Sequence, residues 1–147
     1  MDDVLTLAGD IDAVLPGCAA ALADLRGRIL VTAGDAQIPA AENFMGPGLI
    51  VLTLPPAQPD SWQAARQAAE LWAFTRFAAL RWAPRGVRVN AISLGRAALL
   101  PDQPAPPAAH PGTHAPAAPA TPDDVAATIA LLWLAKSITG QLVRLGA

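Results

Sequence analysis

The run Gly48-Leu49-Ile50-Val51-Leu52-Thr53-Leu54 is apolar without alternation and is bracketed by Pro47 and Pro55. A strand with one solvated face alternates apolar and polar residues. One with no polar face must be covered on both sides, which is the condition of an inner strand in a parallel sheet flanked by helices. That requirement narrows the chain to the α/β class before anything else is read.

The remaining segments fit it. Val4–Ala8 is a short β-prone run that ends at Gly9-Asp10. Asp12–Leu25 has helical composition, with its firm part after Pro16, and Gly27 ends it. Arg28–Thr32 is a strand ending at Ala33-Gly34. The stretch from Asp35 to Pro47 is irregular, with one helical turn around Ala40–Phe44. Ser61, or Asp60 before it, caps a long helix to about Trp82. Pro84-Arg85-Gly86 turns the chain into a strand over Val87–Ile92 that ends at Leu94-Gly95. Residues 96–120 are rich in Pro and Ala and read as a loop within a single domain spanning 1–147. Thr121-Pro122-Asp123-Asp124 starts a helix to Ala135: a capping Thr, Pro at the first helical position, acids in the first turn. Ile138-Thr139-Gly140 turns into a last strand, Gln141–Leu145. Strand and helix alternate, which predicts a mainly parallel sheet of about five strands, right-handed crossovers and a three-layer αβα, Rossmann-like arrangement.

Composition excludes several kinds of chemistry. No apolar run reaches the roughly 20 residues that span a bilayer. The N-terminus, Met1-Asp2-Asp3, is acidic where a secretory leader is basic, so a cytoplasmic protein is expected. There are 12 acidic and 10 basic residues with no basic block, so nucleic acid is not an expected partner. The one cysteine, Cys18, is expected to be a small buried hydrophobe. His110 and His114 have no companion ligands, so no metal is expected. The chain has no tyrosine, and its one lysine is Lys136. A mechanism requiring a Tyr/Lys pair is therefore impossible.

That absence matters because of what the long helix and the next strand resemble. Ala73-Phe74-Thr75-Arg76-Phe77-Ala78-Ala79-Leu80-Arg81-Trp82-Ala83-Pro84-Arg85-Gly86-Val87-Arg88-Val89-Asn90-Ala91 is similar to the short-chain dehydrogenases/reductases, whose pattern there is Leu-Thr-Arg, an Ala-rich run, then Ala-Pro-Arg-Gly-Ile-Arg-Val-Asn-Ala. Thr121–Ala126 and Ile138–Gln141 resemble the family's last helix and strand. Val4–Asp10, Arg28–Gly34 and Leu49–Leu54 resemble, more weakly, its third, fourth and fifth strands. The resemblance implies a Rossmann-like fold lacking the family's first two strands, with the Val4–Ala8 strand pairing directly beside Arg28–Thr32.

The resemblance also implies lost chemistry. The glycine-rich turn that would seat a dinucleotide pyrophosphate is missing from the sequence, so NAD(P) binding is expected to be lost. Leu54-Pro55-Pro56 stands where the catalytic serine would be. Ala64 and Ala68 stand at the Tyr and Lys positions. Trp62 and Arg66 share that spacing two residues earlier, but indole cannot replace phenol in proton transfer. The segment carrying the family's Asn is missing between Gly34 and Gly48, and the family's Pro-Gly is Leu94-Gly95.

Three functions follow as expectations. The first is assembly without catalysis: the helix over 61–82 is apolar around most of its circumference, so Trp62, Leu71, Trp72, Phe74, Phe77 and Trp82 are expected to meet a second subunit, itself or an intact dehydrogenase. The second is a small-ligand module at the carboxyl ends of the strands, with Asp35, Ser93 and Arg96, and beyond them His110 and His114, near the crevice. The third is an oxidoreductase by inheritance.

Overall fold

The computed structural model describes residues 4–55, 60–94 and 119–146. Five strands, β1 (Leu5–Ala8), β2 (Ile29–Thr32), β3 (Gly48–Leu54), β4 (Val87–Leu94) and β5 (Leu142–Leu145), form one parallel sheet in the order β1-β2-β3-β4-β5. The expected pairing of the first strand is present, running from Leu5 opposite Ile29 to Ala8 opposite Thr32. β3 is central, and Leu49 through Leu54 are buried on both faces, as their uninterrupted apolarity requires.

The helices divide between the two faces. On one lie α1 (Ile11–Val14), α2 (Cys18–Leu22) and α5 (Pro122–Leu134), which bury Ile11, Cys18, Leu22, Val125 and Ile129 against Ile29, Val31, Leu49, Val51 and Ile92. On the other lie α3 (Gln37–Glu42) and α4 (Trp62–Trp82), which bury Ala41, Ala68, Leu71 and Ala78 against Leu30, Ile50, Leu52 and Ala91. This corrects one expectation. In a sheet ordered as its sequence is, every crossover steps the same way, so crossovers over opposite faces have opposite hands and cannot all be right-handed. The packing of Cys18 and Leu22 with Val125 and Ile129 is what holds the first connection on the face of α5.

Two local readings also change. The expected helix over Asp12–Leu25 is two short helices, because Pro16 and Gly17 (φ 92°) interrupt it, and Asp10 rather than a later residue caps the first turn. The stretch after Asp35 holds a formed helix, α3, that starts earlier than the expected turn. Ser61 is the cap of α4, its Oγ accepting from the Ala64 N–H at 3.1 Å. Of the loop expected over 96–120, residues 96–118 lie outside the described ones.

The start of α5 forms as its sequence reads. The Thr121 N–H donates to Asp124 Oδ2 at 2.9 Å and the Asp124 N–H donates to Thr121 Oγ1 at 3.2 Å, a closed capping box. The Thr121 backbone donor, then its side chain, hold the Asp124 carboxyl below its ordinary range. A depressed carboxyl stabilises the fold above the unfolded-state value and loses that contribution as the pH falls through the folded one. Asp124→Asn should therefore lower Tm at pH 7, by an amount that begins to shrink below about pH 4 and vanishes once the pH is under the depressed folded value. Melting both proteins across that range checks it, and a difference that persists undiminished in acid would refute the capping account.

Candidate functional site

Two places in this fold bring functional side chains together: the carboxyl ends of the strands and the outer face of α4. At the first, β2 stops at Thr32 while β3 runs on to Leu54, so the Thr53 backbone has no strand neighbour on the β2 side. The Gln37 side chain takes over. Its Nε2 donates to Thr53 O at 2.8 Å, and its Oε1 accepts from the Thr53 N–H at 2.8 Å and from Thr32 Oγ1 at 2.9 Å. One carboxamide thus stands in for a missing peptide group, and it is almost wholly buried.

Beside it lies a cleft of about 380 Å³ between α3 and α4, lined by Asp35, Gln37, Gln63, Arg66, Gln67 and Glu70 among others. Asp35 Oδ1 accepts from Gln67 Nε2 at 3.5 Å, which ties the end of β2 to α4. Of the residues expected at a crevice, Asp35 is there. Ser93 is not: it is fully buried on β4 beneath α4 and does not line the cleft. Arg96, His110 and His114 lie outside the described residues. Among the described residues no group of His, Cys, Asp and Glu has the arrangement of a metal site, and no helix is long and apolar enough to cross a membrane.

On α4, Ala64 is half-buried and Ala68 fully buried, so the positions matching the resemblance's Tyr and Lys hold methyl groups packed toward the sheet. Aromatic residues of the helix divide into two sets. Trp72, Phe74 and Trp82 pack partly against the chain's own core, with Phe74 and Trp82 edge to face at 5.7 Å. Leu71, expected at an interface, is 3 % exposed and belongs to that core, because it falls on the buried stripe with Ala68, Thr75 and Ala78. Trp62 and Phe77 point away, 78 % and 61 % exposed, and Leu80 joins them at 83 %. Leu80 was legible in the sequence: Trp62, Arg66, Ala69, Ala73, Phe77 and Leu80 recur at helical spacing opposite the buried stripe.

The motif residues of the long resemblance have packing tasks. From β4, Arg88 reaches the end of α5, donating to the carbonyls of Leu132, of Trp133 at 3.0 Å and of Ala135 at 3.0 Å. These carbonyls have no partner within the helix. Burial lowers the Arg88 pKa, but guanidinium remains charged at neutral pH. Asn90 donates to Ile138 O at 3.1 Å and accepts from the Gln141 N–H at 3.0 Å, which sets the turn into β5.

No family model matches the sequence, and no curated protein matches it. Solved structures match the fold. BdcA (YjgI) from E. coli superposes with a TM-score of 0.52 at 21 % identity over 92 % of this chain and 68 % of that one. A protein assigned to the short-chain dehydrogenases/reductases from Sinorhizobium meliloti 1021 gives a TM-score of 0.52 at 16 % identity, over 97 % of this chain and 83 % of that one. The fold is short-chain-dehydrogenase-like. In this fold Arg88 and Asn90 join the last helix and strand to the sheet, and Ala64 and Ala68 place methyl groups at the positions matching the resemblance's Tyr and Lys. Gln37 went unread in the sequence, because nothing local distinguishes it from any other polar residue after a strand.

Proposed function

We propose that this chain is a non-catalytic relative of the short-chain dehydrogenases/reductases that works by assembling through α4, as a two-fold homodimer. The observation that carries the reading is that α4 has two apolar faces. The inner one packs on the sheet. The outer one, centred on Ala73, Phe77 and Leu80 with Ala69 at its edge, is exposed in the described chain.

The outer face is also self-complementary. The middle of α4 lies near Trp72, so an antiparallel copy brings Ala69 against Ala73, where small side chains allow close approach. The same rotation sets Trp62 against Leu80 and Arg66 against the Phe77 ring, a cation over an aromatic face. Loss of catalysis is supported by the absence of tyrosine and by Ala64 and Ala68.

Sedimentation and native mass spectrometry test this. The chain should run as a dimer, and Phe77→Ala or Leu80→Glu should each raise the dissociation constant at least about tenfold, since the first removes the ring that Arg66 covers and the second buries a carboxylate against Trp62 without a partner. Both positions are exposed in the single chain, so monomer stability should change little. A monomer at micromolar concentration would refute homodimerisation, and co-purification with a longer protein would move the reading to a partner subunit. Saturable binding of NADPH would overturn the loss of cofactor binding.

A second reading rests on the cleft beside Gln37: Asp35, Arg66 and Glu70 surround a polar volume that suits a small polar ligand.

A further inference from the structure

The amino ends of the strands hold another cleft, about 330 Å³, at the opposite end of the sheet from the cleft beside Gln37. Arg28 enters it from the residue before β2 and Arg88 from β4. Trp133 and Lys136 come from the end of α5 and the turn after it, and Gly48 and Gly86 form the floor. No Asp or Glu lines it among the described residues. In a chain with 12 acids and 10 bases, three cations around one small volume without a lining acid are not a consequence of composition.

The walls are held before any ligand arrives. The Arg28 guanidinium lies 4.8 Å from the Phe44 ring centroid and donates to Met45 O. Arg88 is pinned by the α5 carbonyls at 3.0 Å. The half negative charge of that helix end is outweighed by the full charge of Arg88, so the corner stays positive. The Trp133 indole is seated on backbone: a Cβ at Gly27 would fall 2.7 Å from Trp133 Cε2. Lys136 Nζ sits 3.9 Å from the ring centroid, the one long, exposed cationic side chain of the three.

We infer that this cleft binds a compact oxyanion of at least two charges, of the kind a phosphate monoester presents, with Arg28, Arg88 and Lys136 supplying the countercharge and Trp133 one wall. Guanidinium groups match the spacing of phosphate oxygens, and Lys136 is long enough to leave the indole and close on the anion. A monoanion would leave most of the gathered charge unanswered.

The test is calorimetric titration of the whole chain with inorganic phosphate at constant ionic strength, followed in parallel by tryptophan fluorescence. Saturable binding is expected, with the indole emission changing as Lys136 moves. Lys136→Gln should weaken binding about five- to tenfold, and Lys136→Arg should stay within about threefold of the natural chain. Because Lys136 is exposed and follows α5 rather than lying on α4, both variants should keep the fold and the assembly face of the natural chain. Acetate at equal ionic strength should not saturate. A linear response to phosphate, or Lys136→Gln binding as tightly as the natural chain, would show screening only and overturn the site. Equal saturation by acetate would overturn the requirement for two charges.

Discussion

Replacing Gln37 with leucine should destabilise the fold by roughly 3–5 kcal/mol, the largest single-residue effect expected in this chain. Leucine has nearly the volume of glutamine, so packing is not the cause. What is lost is the carboxamide that accepts the Thr53 N–H and donates to Thr53 O, both at 2.8 Å, between residues that are each only 2 % exposed. Each backbone group stranded there costs about 1–3 kcal/mol, and the Thr32 hydroxyl is left with only its longer bond to Val51 O at 3.3 Å. Urea unfolding should show a lower midpoint with an unchanged slope. Gln37→Glu separates the hydrogen-bond account from any packing account. An ionised carboxylate can accept from Thr53 N–H but cannot donate to Thr53 O, whereas a protonated one can do both. Burial raises the carboxyl pKa, so this variant should regain stability as the pH falls through the folded value and lose it as the pH rises. A leucine variant within about 1 kcal/mol of the natural chain would mean that water reaches Thr53 and that the carboxamide is incidental.

Arg88→Met should have the next largest effect, about 2–4 kcal/mol. The aliphatic stem is retained, while the carbonyls of Leu132, Trp133 and Ala135 lose their charged donor at the C-terminus of α5. The loss should be local as well as global. Hydrogen exchange should accelerate in the last turn of α5 and in Leu142–Leu145, since the turn between them is anchored on neighbouring Asn90. Arg88→Lys should recover only part of the stability, because one ammonium cannot reproduce a planar fork that meets three carbonyls. If lysine restores stability fully, charge at the helix end is sufficient and the geometry is not needed.

These two residues show where sequence reading succeeds and where it stops. Arg88 stood inside the most recognisable segment, Val87–Ala91, but its task did not, because its partners lie more than forty residues further along the chain. Gln37 had no signal at all. Its role exists because β2 ends before β3 does, a mismatch in strand length that is visible once the strands are in register. The outer stripe of α4 is the intermediate case. The excess of apolar residues was legible, yet the division of Leu71, Trp72, Phe74 and Trp82 inward from Trp62, Phe77 and Leu80 outward needed the helix to be set on the sheet.

What the sequence determined by itself is short-range: the buried strand between Pro47 and Pro55, the Thr121 cap of α5, the absence of a Tyr/Lys pair, and the five strands in their order. Burial on both faces, capping and composition are properties of a few neighbouring residues, so they survive without knowledge of the rest. Tertiary structure alone decided which face each helix covers, and with it the hand of the crossovers. It alone placed Gln37 at the Thr53 backbone and collected Arg28, Arg88 and Lys136 around Trp133. Those outcomes depend on contacts between segments far apart in the chain, where free energy is set by shape and charge in three dimensions rather than by local pattern.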